Sequence, residues 1–137
     1  RAHPHNSMTE IEFITEIHQQ TNCKLLLDIN NVHISSCHLN FDAFNYLDKL
    51  PTDIISEIHL SGSLNSGVDN APNFIENHGH KVSNKVWRLF NHFLQHNNPV
   101  ATLIERDINV PKLGELLQEV KMARELILRA KKLHRAS

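Results

Sequence analysis

The sequence lacks the features that would place it in several functional classes. Two of its 137 residues are cysteine, and Cys23 and Cys37 show no zinc or redox spacing. That excludes a disulfide-built scaffold and leads us to expect a reduced, cytoplasmic setting. Neither charge is in excess: 14 Lys and Arg stand against 15 Asp and Glu, for a formal charge of −1. Bulk electrostatic attraction to nucleic acid therefore has little to act through. No apolar run reaches the roughly 18 residues of a membrane helix, and no charged-then-apolar leader opens the chain. Neither a membrane span nor a signal peptide is expected. An initiator Met is also missing, so Arg1 reads as the start of a cut within something longer.

Histidine, in contrast, is plentiful, with 11 in the chain. His3, His5, His18, His92, His96 and His134 fall where surface or packing roles suffice. Four of the others, His33, His59, His78 and His80, fall in a pattern. Lys24 to His33 opens with an apolar run of strand length that ends in Asp28, Asn30, Asn31 and His33. A continuous apolar run of that kind is a strand buried on both faces, as in a parallel sheet covered by helices. Polar groups at its C-terminal end are what a site on such a sheet needs. The construction recurs twice: Ile54 to Ile58 leads into His59, and Val100 to Ile104 leads into Glu105 and Asp107.

Helices are expected between and around these strands. Ser7-Met8-Thr9-Glu10 has the capping-box form, and Ile11, Phe13, Ile14 and Ile17 carry a stripe to about Gln20. A loop from His33 to Asn40 leads to a helix over Phe41 to Leu50, with Asn40 as its N-cap and Pro51 as its stop. Ser61 to His80 reads as one long loop holding three of the four glycines, a lid or binding loop by its length. A helix over Ser83 to His96 presents Val86, Trp87, Phe90, Phe93 and Leu94, and a last one runs over Lys112 to Leu133 after Pro111. The order α-β-α-β-α-β-α with three parallel strands defines an α/β fold. A closed (β/α)₈ TIM barrel takes about 250 residues. The chain is thus either a small open α/β domain or the C-terminal part of such a barrel.

The strand-end set is Asp28, Asn30, His33, His59, Glu105 and Asp107, to which the long loop adds Glu76, His78 and His80. Glu105 and Asp107, two apart, share one face of a strand while Arg106 points away. Each group has a plain structural alternative. Asp28 or Asn30 alone caps a turn, His59 alone is a structural histidine, and Glu105-Arg106-Asp107 alone is a solvated charge cluster. Their coincidence at the ends of all three strands favours a metal site instead. Imidazole, carboxylate and carboxamide together suit Fe(II), Mn(II) or Zn(II).

Several segments carry a resemblance to a known family. They are Met8 to Phe13, Leu25-Leu26-Leu27-Asp28-Ile29-Asn30-Asn31, Ile58-His59-Leu60-Ser61-Gly62, Glu76-Asn77-His78-Gly79-His80 followed by Val86-Trp87, and Leu103-Ile104-Glu105-Arg106-Asp107 with Pro111. In order and spacing the chain resembles the multinuclear non-haem iron-dependent oxidases, an initially uncharacterised TIM-barrel family related to xylose isomerase. The resemblance implies two or three irons per complete enzyme at the barrel's C-terminal face. It also implies the use of O₂ to rework cysteine residues of a ribosomally made peptide, with a partner protein helping to hold that peptide.

By position it makes Asn30 and His33 ligands after the first strand and His59 after the second. It takes Glu76 and His78 from the loop and Glu105 and Asp107 from the last strand. Three departures stand out. His59-Leu60-Ser61-Gly62-Ser63 replaces the family's His-Leu-Ala-Gly-His, Glu76 replaces the usual Asp, and the family's N-terminal half has no counterpart here. Residues 1–137 then form a single partial domain. Two other functions stay open: a non-catalytic half-barrel that dimerises or pairs with a separate N-terminal half, and a Zn or Mn hydrolase or isomerase of the same barrel type.

Overall fold

A computed structural model describes residues 6–65 and 74–136, apart from the side chains of 65, 74, 76 and 136. The first helix, α1, runs over Glu10–Thr21. Its capping box is Thr9 with Glu12, two residues later than the Ser7 pattern. Glu12 N–H donates to Thr9 Oγ1 (3.2 Å) and Thr9 N–H to Glu12 Oε2 (2.6 Å). Both registers have the required residues. The later one seats Ile11 and Ile14 against the core.

Strand β1, Leu25–Asp28, passes directly into helix α2, Ile29–Leu39, where the sequence reads as a loop. Asp28 is the N-cap: its Oδ1 accepts from Asn31 N–H at 2.9 Å. Asn40 is the C-cap, in the left-handed conformation with φ 55°, and not the N-cap of the next helix. That role falls to Asp42, ahead of α3, Ala43–Lys49. The segment from Asn30 to His38 is rich in Asn, Ser, His and β-branched residues, all weak helix formers. Burial of Ile29, Val32 and Ile34 overrides that weakness.

Strand β2, Ile55–Leu60, follows a short 3₁₀ turn. The expected long loop then proves to be a hairpin, with β3, Gly62–Asn65, antiparallel to β4, Phe74–His80. Residues 66–73 between them lie outside the described set. Gly62 is required at its position, because a Cβ there would run into the carbonyl oxygens of His80 and Lys81. Helix α4, Asn84–His96, starts at its Ser83 cap as its pattern predicts, and β5, Ala101–Ile104, and α5, Leu113–Ala136, complete the chain.

The main sheet has the order β1-β2-β5, all parallel, with Asp28 beside His59 and His59 beside Leu103 in register. Ile58 and Leu60 point into the helix layer, where they meet a core built on α4 residues Val86, Leu89, Phe90, Phe93 and Leu94. The alternate positions lie on the opposite face, which holds Leu26 and Leu103 at 46% and 45% exposure. Parallel sheets ordinarily bury both faces. Three parallel strands alternating with helices on one side, and a second face left open by the described residues, are consistent with part of a TIM barrel whose interior is that open face.

Candidate metal centre

The strand alternation that sends Leu27, Ile58 and Leu60 into the helix layer sends Asp28, His59 and Glu105 onto the open face. Pairing continues past the end of β5: Glu105 N–H donates to Leu60 O at 2.9 Å. The β3–β4 hairpin brings His78 over the same rim. Asp107 N–H donates to His78 O at 3.0 Å, tying the hairpin to the segment after β5. His78 itself is left-handed, with φ 45°. Such backbone in a non-glycine residue costs of order 1–3 kcal/mol and is concentrated at functional sites.

The side chains form one connected group. Glu105 stands between two imidazoles, with Oε1 3.3 Å from His78 Nδ1 and Oε2 3.1 Å from His59 Nδ1. Asp107 Oδ2 lies 3.1 Å from His78 Nδ1, and Asp28 Oδ2 lies 3.8 Å from His78 Nε2. Glu57 closes the row, its Oε1 3.2 Å from His59 Nε2. One ligand atom each from Asp28, His78 and Glu105 lie within 4.8 Å of one another, a spacing that can hold a metal ion. The donors are all nitrogen and carboxylate oxygen, the set that suits divalent iron, manganese or zinc.

Nearby, two wholly buried polar side chains follow the same strands. The Asn30 amide and the Ser61 hydroxyl have no hydrogen-bond partner among the described residues. Such groups each cost about 1–3 kcal/mol unless something meets them. A site that receives an ion and its ligands fits both observations.

Of the residues singled out from sequence, His59, His78, Glu105 and Asp107 come together here. Asn30 and His33 stand on α2, which begins directly after β1, at 0% and 8% exposure, and the His33 Nδ1 lies 3.7 Å from Cys37 Sγ. Burial pushes the His33 imidazole below its usual pKa, and the charge of Lys85 adds to the effect. Glu76 lies in β4, but its side chain falls outside the described set. Asp28 is among the strand-end groups but not in the ligand set that the resemblance implies, and it joins the cluster here. The structure shows that one carboxylate oxygen caps α2 while the other faces His78. Glu57 was missed altogether. Its position two before His59 on one strand face was the available signal. Among the remaining histidines, His18, His92 and His134 contact Cys23 O, Asp48 and Leu94 O respectively, and His3 and His5 lie outside the described residues.

Comparison with known proteins gives this arrangement its context. A family model described as RiPP precursor modification enzyme MbnB/TglH/ChrH matches residues 1–128. The chain is 40% identical over 123 residues to a UPF0276 protein of Vibrio parahaemolyticus, covering 90% of this chain and 43% of that one. A UPF0276 protein of Acaryochloris marina is 41% identical over 120 residues, 87% of this chain and 42% of that one. A third, from Vibrio vulnificus, is 38% identical over 130 residues, 95% and 44% respectively. The chain therefore spans less than half the length of these curated relatives. With its three parallel strands, its rim of imidazoles and carboxylates and a family match over nearly its whole length, the chain belongs to the MbnB/TglH/ChrH family of RiPP precursor modification enzymes.

Proposed function

We propose that this chain carries part of the metal centre of an iron-dependent oxidase that uses O₂ to modify cysteine residues of a ribosomally made peptide. The observation that carries the proposal is the convergence of Asp28, His78 and Glu105 from three separate segments, in a chain whose family modifies peptide precursors. Asp28, His78 and Glu105 would hold one iron, with His59, Asp107, Asn30, His33 and Glu76 as the further ligands of a two- or three-iron centre. Iron supplies redox chemistry with O₂ there. The chain's own part is to fix the ligands. Asp28 is held by its bond to Asn31 N–H, and Glu105 and Asp107 are held by backbone bonds to Leu60 and His78.

The peptide would approach the polar rim at the C-terminal ends of the strands, where Asp28, His78 and Glu105 stand, and a partner protein would help to hold it. Residues 1–137 act as a partial domain of the barrel in a cytoplasmic setting. No helix among the described residues is long and apolar enough to cross a membrane. The test is anaerobic loading of the chain with Fe(II), metal analysis, and exposure to air with a cysteine-containing precursor peptide. Bound iron without peptide oxidation fits a partial centre that needs the rest of the barrel, whereas iron at two or more per chain with an oxidised peptide would show that the chain suffices alone. Bound zinc without iron points to the hydrolase or isomerase chemistry.

The open sheet face favours a second reading. Among the described residues, two free edges, at β1 and β5, and an uncovered face suit a half-barrel that pairs with a second copy or with a separate N-terminal half. Sedimentation analysis decides it. A monomer that loads iron and turns over on its own excludes pairing as a requirement.

A further inference from the structure

Arg106 lies between Glu105 and Asp107 and takes no part in the cluster those two join. Its side chain turns to the helix layer, where Nη2 donates to Glu119 Oε2 of α5 at 2.8 Å. Both side chains are almost fully buried, at 5% and 8% exposure. The second oxygen of Glu119 accepts from Val82 N–H at 2.7 Å, two residues beyond the end of β4. One buried carboxylate therefore grips both chain segments that carry His78, Glu105 and Asp107 to the rim. Arg106 Nε has no partner among the described residues, so Glu119 is the contact that holds the guanidinium.

A buried ion pair is a poor source of stability, because desolvation of both charges offsets their attraction and apolar replacements often fold as well. What such a pair does supply is direction. With Arg106 anchored toward α5, strand alternation aims its two neighbours to the opposite face, where His59 and His78 stand.

We propose that Arg106 and Glu119 are positioning residues that hold Glu105, Asp107 and the His78 strand in register for the metal ion, an inference that rests on the metal reading above. Residues behind the ligands commonly change metal affinity ten- to a hundredfold when replaced.

The test compares the wild-type chain with the double variant Arg106→Met/Glu119→Gln, which removes both charges and keeps an acceptor for Val82. Co(II) is the probe. Its affinity and visible absorption are measured beside thermal melting and amide hydrogen exchange. The expected result is a melting temperature close to wild type, Co(II) affinity lower by about ten- to a hundredfold, and altered absorption bands. Exchange at Asp107 N–H, whose acceptor is His78 O, should quicken while Ile58 at the sheet centre stays protected. A folded variant with wild-type affinity, spectrum and exchange overturns the proposal. If the wild-type chain binds no Co(II), the metal reading fails, and exchange at Asp107 alone then decides positioning, unchanged exchange overturning it. Should the double variant not fold, Arg106→Lys keeps the charge and loses the planar fork. The same measurements on it then support or overturn the proposal in the same way.

Discussion

Glu105 is the residue on which the rim turns, since each of its oxygens faces a different imidazole. Replacing it with Gln keeps the shape and removes the charge that both His59 and His78 contact. Glu105→Gln is expected to lower Co(II) or Fe(II) affinity by at least about tenfold, read by calorimetric titration, with little change in the far-ultraviolet spectrum. An unchanged affinity would remove Glu105 from the ligand set. His33 makes a different prediction. Burial disfavours its charged form in the folded state, so the unfolded chain takes up a proton first as pH falls below the ordinary value of 6.5. The unfolded state then binds more protons than the native one, and stability declines toward acid through that window. His33→Gln should flatten this acid-side decline, as measured by urea denaturation at several pH values. An identical pH dependence in the variant would show that other groups set it.

At the scale of elements, the helices with strong apolar stripes were legible and those with weak intrinsic propensity were not. The α4 pattern from Ser83 to His96 needs only its own residues to be read, because Val86, Leu89, Phe90, Phe93 and Leu94 repeat at helical spacing and all are buried. α2 is the opposite case. Its Asn, Ser and His residues form a helix because the sheet and α4 bury one side of it, a contact no local pattern announces. The β3–β4 hairpin was hidden for a related reason. Its glycine and asparagine content reads as loop, whereas Gly62 is there so that two backbones can approach. Gly62→Ala would push a methyl group into the carbonyls of His80 and Lys81 and should cost about 1–3 kcal/mol, the range of overpacking. Thermal melting measures it, and a wild-type melting temperature would mean that the hairpin yields freely.

For the molecule as a whole, the site joins parts distant in sequence: the end of β1, the hairpin and the segment after β5. A metal ion bound there holds those parts together and should stabilise the fold as a linked ligand does. At a free concentration about a hundred times its dissociation constant the gain is about 2.7 kcal/mol. Melting the chain with Co(II) and with a chelator reads this directly, and the Glu105→Gln chain should show a metal-dependent gain of at most about 1.4 kcal/mol, as a tenfold weaker affinity dictates. Stabilisation equal in both chains would place the ion elsewhere. The open sheet face belongs to this scale too. Leu26 and Leu103 are apolar because a parallel sheet expects cover on both sides, and only one side is covered by the described residues.

The sequence by itself determined the alternation of apolar strands and amphipathic helices, the parallel sheet, and the placing of His59, Glu105 and Asp107 at strand ends. Those follow from periods of two and 3.6 and from where apolar runs stop, which are local properties. Tertiary structure alone decided that Asp28 turns its second oxygen to His78, that Asn30 and His33 belong to a buried helix, and that Glu119 reaches two segments at once. Each of these depends on which distant backbone lies within hydrogen-bond reach, and that distance exists only once the strands and helices have packed.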